Sequence, residues 1–156
     1  WRMGVNTGQV AELLPRVRRR VASAADRGGE PVRLIGWSLG GVLAREVARD
    51  APDLVRSVIT LGSPIVGGPK YTAVGRIYAQ QGVDLGARGA EIEGREATPI
   101  RVPITAIWSR ADGIVAWQAC VDRRSPDVEN VEVVATHLGL GFAADVYRVI
   151  AERLPR

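Results

Sequence analysis

A short serine segment flanked by glycines, Gly36-Trp-Ser-Leu-Gly40, is the part of the sequence best suited to covalent chemistry. It follows an apolar run at residues 31–35, which predicts a buried strand, and it leads directly into residues with helical apolar spacing. A Gly-x-Ser-x-Gly segment between a strand and a helix is typical of a sharp turn that exposes the serine hydroxyl. We therefore predict that Ser38 is a nucleophile. Gly36 and Gly40 have a steric role in this interpretation, since we expect that a side chain at either position would collide with a neighbouring strand or helix.

The predicted turn also places Ser38 at a helix N-terminus, where unpaired N–H groups and the helix dipole favour negative charge. The backbone N–H of Leu39 is therefore expected to be one donor to an oxyanion. A dinucleotide-binding loop is excluded, because it would need glycine where Ser38 stands. The plain alternative is a glycine-rich turn that only connects two elements.

A serine hydroxyl needs an adjacent base, and the chain has one histidine, His137. Its position shortly after the last apolar strand predicts a loop at the C-terminal edge of a sheet, where Ser38 also lies. Asp112 follows the apolar run 104–108 by four residues, and we predict that it orients the imidazole. Asp84, Asp122 and Asp127 are the alternatives for this acid, although no apolar strand immediately precedes them.

Strands and helices that alternate along the chain must position these residues. Three further strands are predicted at 54–61, 104–108 and 131–134, and an amphipathic first helix runs from Val10 to Ala25 with a kink or restart at Pro15. A last helix is predicted at 141–154, with Ala143, Val146, Tyr147 and Ile150 on one face. This order predicts an α/β fold with a mostly parallel sheet and helices on both faces. We expect one domain over residues 1–156, with a lid-like insertion at 67–100 that contains a helix at 71–80.

Composition narrows the possible partners and cofactors. Basic residues exceed acidic ones by 21 to 17, but the arginines of segment 16–20 alternate with apolar residues and predict a solvated helix face, so nucleic acid is not expected. The single cysteine, Cys120, excludes an internal disulfide, and a single histidine leaves no zinc cluster, so we expect no metal and no cofactor. No apolar run is long enough to span a membrane. We expect a soluble protein whose compartment the sequence leaves open, with the bacterial cytoplasm slightly favoured.

Four segments together resemble the α/β-hydrolase superfamily, and within it the bacterial esterases and lipases. They are Gly36-Trp-Ser-Leu-Gly-Gly41, Thr60-Leu-Gly-Ser-Pro64, Trp108-Ser-Arg-Ala-Asp-Gly-Ile-Val115 and Thr136-His-Leu-Gly139. The chain order Ser38, Asp112, His137 is also the order of that superfamily. The resemblance covers residues 30–156 and implies hydrolysis of a small ester or lipid-like substrate through an acyl-enzyme.

The front of the chain departs from that family. Family members carry earlier strands, one of which is followed by a loop that donates the second oxyanion N–H, and nothing before Gly36 matches it. We therefore expect a hydrolase that is incomplete at its N-terminus, with an exposed sheet edge that associates with the missing segment or with another chain. Two alternatives stay open: acyl transfer with the same three residues, and a binding module without catalysis.

Overall fold

One parallel sheet organises the chain. The computed structural model describes residues 10–66, 94–95 and 97–154. Its strands are β1 (Val32–Trp37), β2 (Val55–Leu61), β3 (Ile104–Trp108) and β4 (Val128–Glu132), and they lie in the order β1-β2-β3-β4 with every neighbouring pair parallel. Because the carboxyl ends of parallel strands share one edge, the residues that follow these strands converge there.

Helices cover both faces of this sheet, which confirms the predicted fold class. The helices are α1 (Val10–Gly28), α2 (Leu39–Asp50), the short α3 (Trp117–Cys120) and α4 (Ala144–Arg153). Short 3-10 turns span Pro52–Leu54 and Gly139–Gly141. The arrangement is a three-layer fold, as expected when buried parallel strands alternate with helices.

Alternating side chains of the strands feed two apolar clusters. On one face, α1 and α2 contribute Val21, Ala44, Val47 and Ala48, which join Val58 and Ile104 of the sheet. On the other face, α4 contributes Val146 and Ile150, which join Ile59, Leu61 and Ile107. β2 and β3 are therefore apolar on both sides, as central strands of a parallel sheet are.

The last strand and the last helix differ from the sequence prediction. β4 ends at Glu132 rather than at Val134, which is 89% exposed. The prediction was wrong because it followed the apolar residues, whereas β4 lies at the edge of the sheet formed by the described residues and tolerates polar residues on its exposed side. The last helix begins at Ala144 because a 3-10 turn occupies the preceding glycines, and Tyr147 is exposed rather than buried.

The first helix and the insertion complete the comparison. Pro15 lies within α1 without interrupting it. Its missing N–H would have donated to the carbonyl of Ala11, and α1 continues through this position without that one hydrogen bond. Most of the predicted insertion, including the helix at 71–80, lies outside the described residues. Its end returns to the fold at Ile100, which is fully buried in the α1 and α2 cluster.

Within the described part of the chain, no helix is long and apolar enough to cross a membrane.

Candidate active site

Ser38 occupies a strained turn between β1 and α2. Its backbone has φ 54° and ψ −125°, the only positive φ of a non-glycine residue among the residues described. Its N–H donates to the carbonyl of Leu61 at 2.8 Å, which fixes the turn to the end of β2. Such conformations cost about 1–3 kcal/mol and persist where the surrounding structure enforces them. The turn is thus the strand-to-helix geometry that the sequence predicted.

The glycines of this turn do not share one role. A Cβ at Gly36 would overlap the backbone of Gly40 and Gly41, as expected. A Cβ at Gly40 would meet no atom within 4 Å, so the predicted collision at this position is wrong. The second close approach is at Gly41 instead, where a Cβ would overlap the Ser63 side chain. The reason is geometric: Gly41 faces the sheet, whereas the side-chain direction of Gly40 points into open space.

Leu39 is the first residue of α2. The first N–H groups of a helix have no acceptor within it, and the Ser38 side chain makes no capping hydrogen bond. The turn is closed two residues later, where Gly41 N–H donates to the Ser38 carbonyl at 3.0 Å. The role of the Leu39 N–H in holding an oxyanion stays a prediction.

Asp112 and His137 form a buried hydrogen-bonded pair. His137 Nδ1 lies 2.7 Å from Asp112 Oδ2, and the two side chains are 6% and 1% exposed. The other oxygen, Oδ1, accepts the N–H groups of Ile114 at 2.9 Å and Val115 at 2.8 Å. Because a carboxylate only accepts hydrogen bonds, Nδ1 is the donor and Nε2 is left as the acceptor nitrogen of a neutral ring.

Gly62 connects the serine turn to this pair. It directly follows Leu61, whose carbonyl holds Ser38, and its own φ is 54°. A Cβ at this position would lie 2.8 Å from Asp112 Oδ2 and 3.2 Å from His137 Nδ1. The end of β2 therefore contacts both the Ser38 turn and the Asp112–His137 pair, and only glycine leaves room for that approach.

The alternative acids lie elsewhere. Asp122 forms a buried ion pair with Arg45, Oδ2 to Nη2 at 2.8 Å. Burial alone would raise the pKa of Asp122, but Arg45 and the backbone N–H groups of Arg124 and Ser125 lower it to about 2. Asp127 is exposed and precedes β4, at the opposite edge of the sheet. Asp84 lies outside the described residues, so among those described Asp112 is the aspartate that pairs with His137.

Trp37 is a site residue that sequence reasoning missed. Its indole Nε1–H donates to the backbone carbonyl of His137 at 3.0 Å. The two rings also lie near each other, with centroids 5.5 Å apart and planes inclined by 35°. The residue before Ser38 thus holds the loop that carries His137. No sequence signal could have found this contact, since its partners are separated by 100 residues.

Cys120 is the other nucleophilic group near the site. Burial, and secondly the negative charge of Asp112, raise the pKa of this thiol to about 12. Since the thiolate is the reactive form, Cys120 is not suited to act as a nucleophile at neutral pH. No cluster of histidine, cysteine or acidic residues within the described ranges could hold a metal ion.

Comparison with known proteins identifies the fold. No protein-family model matches the sequence. The chain is similar in structure to mouse alpha/beta hydrolase domain-containing protein 10, with a TM-score of 0.59, 23% identity, and coverage of 89% of this chain and 67% of that one. The monoacylglycerol lipase of Paleococcus ferrophilus matches with a TM-score of 0.63 and 16% identity, over 89% of this chain and 74% of the lipase. Esterase Pf2001 of Pyrococcus furiosus matches with a TM-score of 0.67 and 18% identity, over 98% of this chain and 65% of the esterase.

These likenesses show that the chain has an α/β-hydrolase fold, as its sequence segments suggested. They hold across nearly the whole chain, whereas the chain spans only 65–74% of the lengths of the three proteins. At this level of identity the likeness concerns the fold, and what the protein does must be argued from its site.

Proposed function

We propose that the protein is a serine hydrolase that cleaves carboxylic esters through an acyl-enzyme. The observation that carries the proposal is the buried Asp112–His137 pair, at the same sheet edge as a serine held at φ 54°. The pair leaves one imidazole nitrogen available as a base, and Trp37 joins the serine turn to the histidine loop. A nucleophile, a base and an orienting acid are the minimum set for this chemistry.

The reaction would proceed in two halves. The Ser38 hydroxyl attacks the ester carbonyl while His137 Nε2 takes its proton, and Asp112 stabilises the imidazolium. The Leu39 N–H would donate to the oxyanion. Collapse of the tetrahedral intermediate expels the alcohol, which receives the proton from His137. Water then attacks the acyl-enzyme with the same base, and this step releases the carboxylic acid and regenerates Ser38.

The neighbours' own names support an ester as substrate. One neighbour is described as an esterase and another as a monoacylglycerol lipase. We extend this to a small ester or lipid-like substrate for the present chain. The chain spans only part of the length of those proteins. That the 156-residue chain is active by itself is therefore a proposal, which an activity measurement tests.

A fluorophosphonate probe tests the nucleophile. It should label the folded chain at Ser38, with labelling abolished in Ser38→Ala and strongly slowed in His137→Ala. Ser57→Ala is the matched control, because Ser57 lies on β2 close to its opposite end. Labelling that persists in Ser38→Ala, or a folded wild-type chain that is not labelled, would overturn the proposal. p-Nitrophenyl esters of increasing acyl length would then define the substrate.

A further inference from the structure

Ser109 links the two loops that carry the acid and the base. It follows the last residue of β3, and its side chain is buried, with 1% of the residue exposed. Its hydroxyl oxygen accepts the N–H of Ala111 at 3.1 Å and the N–H of Ala135 at 3.1 Å. Ala111 directly precedes Asp112, and Ala135 lies two residues before His137. One oxygen atom therefore contacts both loops next to their functional residues.

The link lies where the regular sheet ends. The last backbone hydrogen bond between the β3 and β4 segments joins the N–H of Val133 to the carbonyl of Trp108 at 2.9 Å. Beyond this bond the two segments diverge into their loops. There the Ser109 hydroxyl oxygen, rather than a backbone carbonyl, accepts the hydrogen bond from the N–H of Ala135. A hydroxyl oxygen has two acceptor sites, so it can receive both N–H groups. A side chain thus extends the contact between β3 and β4 by one further step.

We infer that Ser109 is a positioning residue for the Asp112–His137 pair, an inference that rests on the proposed function for its catalytic consequence. Because the residue is buried and bonds only backbone N–H groups of the two loops, it acts through them and not on substrate. Its hydroxyl keeps the carboxylate and the imidazole at their 2.7 Å separation. The loop of His137 has a second support in the Trp37 hydrogen bond. Loss of Ser109 should therefore loosen the pair rather than detach it.

Two substitutions separate this role from simple packing. Ser109→Ala removes the hydroxyl acceptor, so the N–H groups of Ala111 and Ala135 lose their hydrogen bonds to it. Ser109→Cys keeps a side chain of similar shape whose sulfur is a much weaker acceptor. Both should lower the rate of fluorophosphonate labelling, by about tenfold to a hundredfold, because small displacements of catalytic groups carry penalties of that size. Ser125→Ala is the matched control, since Ser125 is also a buried serine but lies beside Asp122.

A second measurement does not depend on turnover. His137 is the only histidine, so a sample labelled with ¹⁵N-histidine shows a single imidazole in NMR spectra. The Nδ1 proton bonded to Asp112 should give a resolved low-field signal in the wild type and in Ser125→Ala. In Ser109→Ala and Ser109→Cys this signal should weaken through exchange with water. A general loss of stability that leaves the site unaltered would not produce this selective change.

The outcomes distinguish the two proposals. If the wild type is not labelled, the proposed function fails, while the low-field signal still tests Ser109. If either Ser109 variant folds, is labelled within twofold of the wild-type rate and keeps the signal, the positioning role is refuted. If Ser109→Ala does not fold, Ser109→Cys decides the question by the same criteria.

Discussion

Replacing Asp122 with asparagine should destabilise the fold strongly. Asp122 lies just after α3 and pairs with Arg45 of α2 at 2.8 Å, and both side chains are 1% exposed. Its other oxygen accepts the N–H groups of Arg124 at 2.8 Å and Ser125 at 3.0 Å. Asp122→Asn would leave the Arg45 charge buried without its carboxylate. Removing one partner of a buried pair typically costs about 3–5 kcal/mol, a large part of the total stability of a domain.

The depressed pKa of Asp122 gives the pH dependence. The pKa falls from 3.8 to about 2 in the folded protein. A difference of roughly two units corresponds to about 2–3 kcal/mol of free energy of unfolding. Since the folded pKa is the lower one, this contribution is fully present above the unfolded value and is lost as the pH falls through about 2. Stability should therefore decline between about pH 4 and pH 2.

Urea unfolding of the wild type and Asp122→Asn, between pH 7 and pH 2, measures both effects. The difference in free energy of unfolding should be largest at pH 7 and should narrow toward pH 2. Asp127→Asn is the matched control: Asp127 is exposed, so its replacement should change stability by no more than about 0.5 kcal/mol. Equal stability of Asp122→Asn and wild type at pH 7, or a difference that does not change with pH, would refute this reasoning.

The same variant separates the two buried aspartates by function. In fluorophosphonate labelling of folded protein, Asp122→Asn should remain reactive, although more slowly than the wild type because the variant weakens the support of α2. Asp112→Asn should lose reactivity, because asparagine cannot stabilise the imidazolium of His137. The opposite result would make Asp122 the orienting acid.

Two further predictions concern local packing and the thiol. Gly36→Ala should prevent stable folding, whereas Gly40→Ala should raise the melting temperature, because alanine is favoured over glycine in a helix by up to about 1 kcal/mol and meets no atom there. A destabilised Gly40→Ala would show that the glycine is needed after all. Cys120 should resist a disulfide reagent at pH 8 until the protein is unfolded, since burial raises its pKa to about 12; rapid reaction of the native protein would contradict this.

Local patterns were sufficient for three of the four strands, because β1, β2 and β3 are largely apolar runs with proline or glycine at or near one end. β3 was predicted with its observed bounds, Ile104–Trp108, since Pro103 precedes it and polar residues follow. β4 was misplaced because its position depends on pairing. The Ile104 N–H donates to the Asp127 carbonyl at 2.9 Å, which starts the ladder among polar residues. A pattern of apolar residues cannot show which backbone groups pair.

The candidate site likewise contains residues that the sequence could predict and residues that it could not. Ser38, Asp112 and His137 follow strands, and parallel strands bring their carboxyl ends to one edge, so a common edge for these residues could be predicted without coordinates. Trp37 and Ser109 could not be found, because each acts through a hydrogen bond to backbone that is distant in sequence. Such contacts depend on where loops lie relative to each other, which residue spacing does not encode.

The polar side chains of α2 explain why this helix can hold a strained serine. Arg45 and Glu46 are buried, although a simple amphipathic reading would place them in solvent. Buried charges need partners, and these come from distant parts of the chain: Arg45 pairs with Asp122, and Glu46 pairs with Arg95 at the end of the insertion. The helix that follows Ser38 is thus fixed to the segment after α3 and to the end of the insertion. A strained turn persists only where its surroundings are rigid, and these ion pairs supply part of that rigidity at the C-terminal side of Ser38.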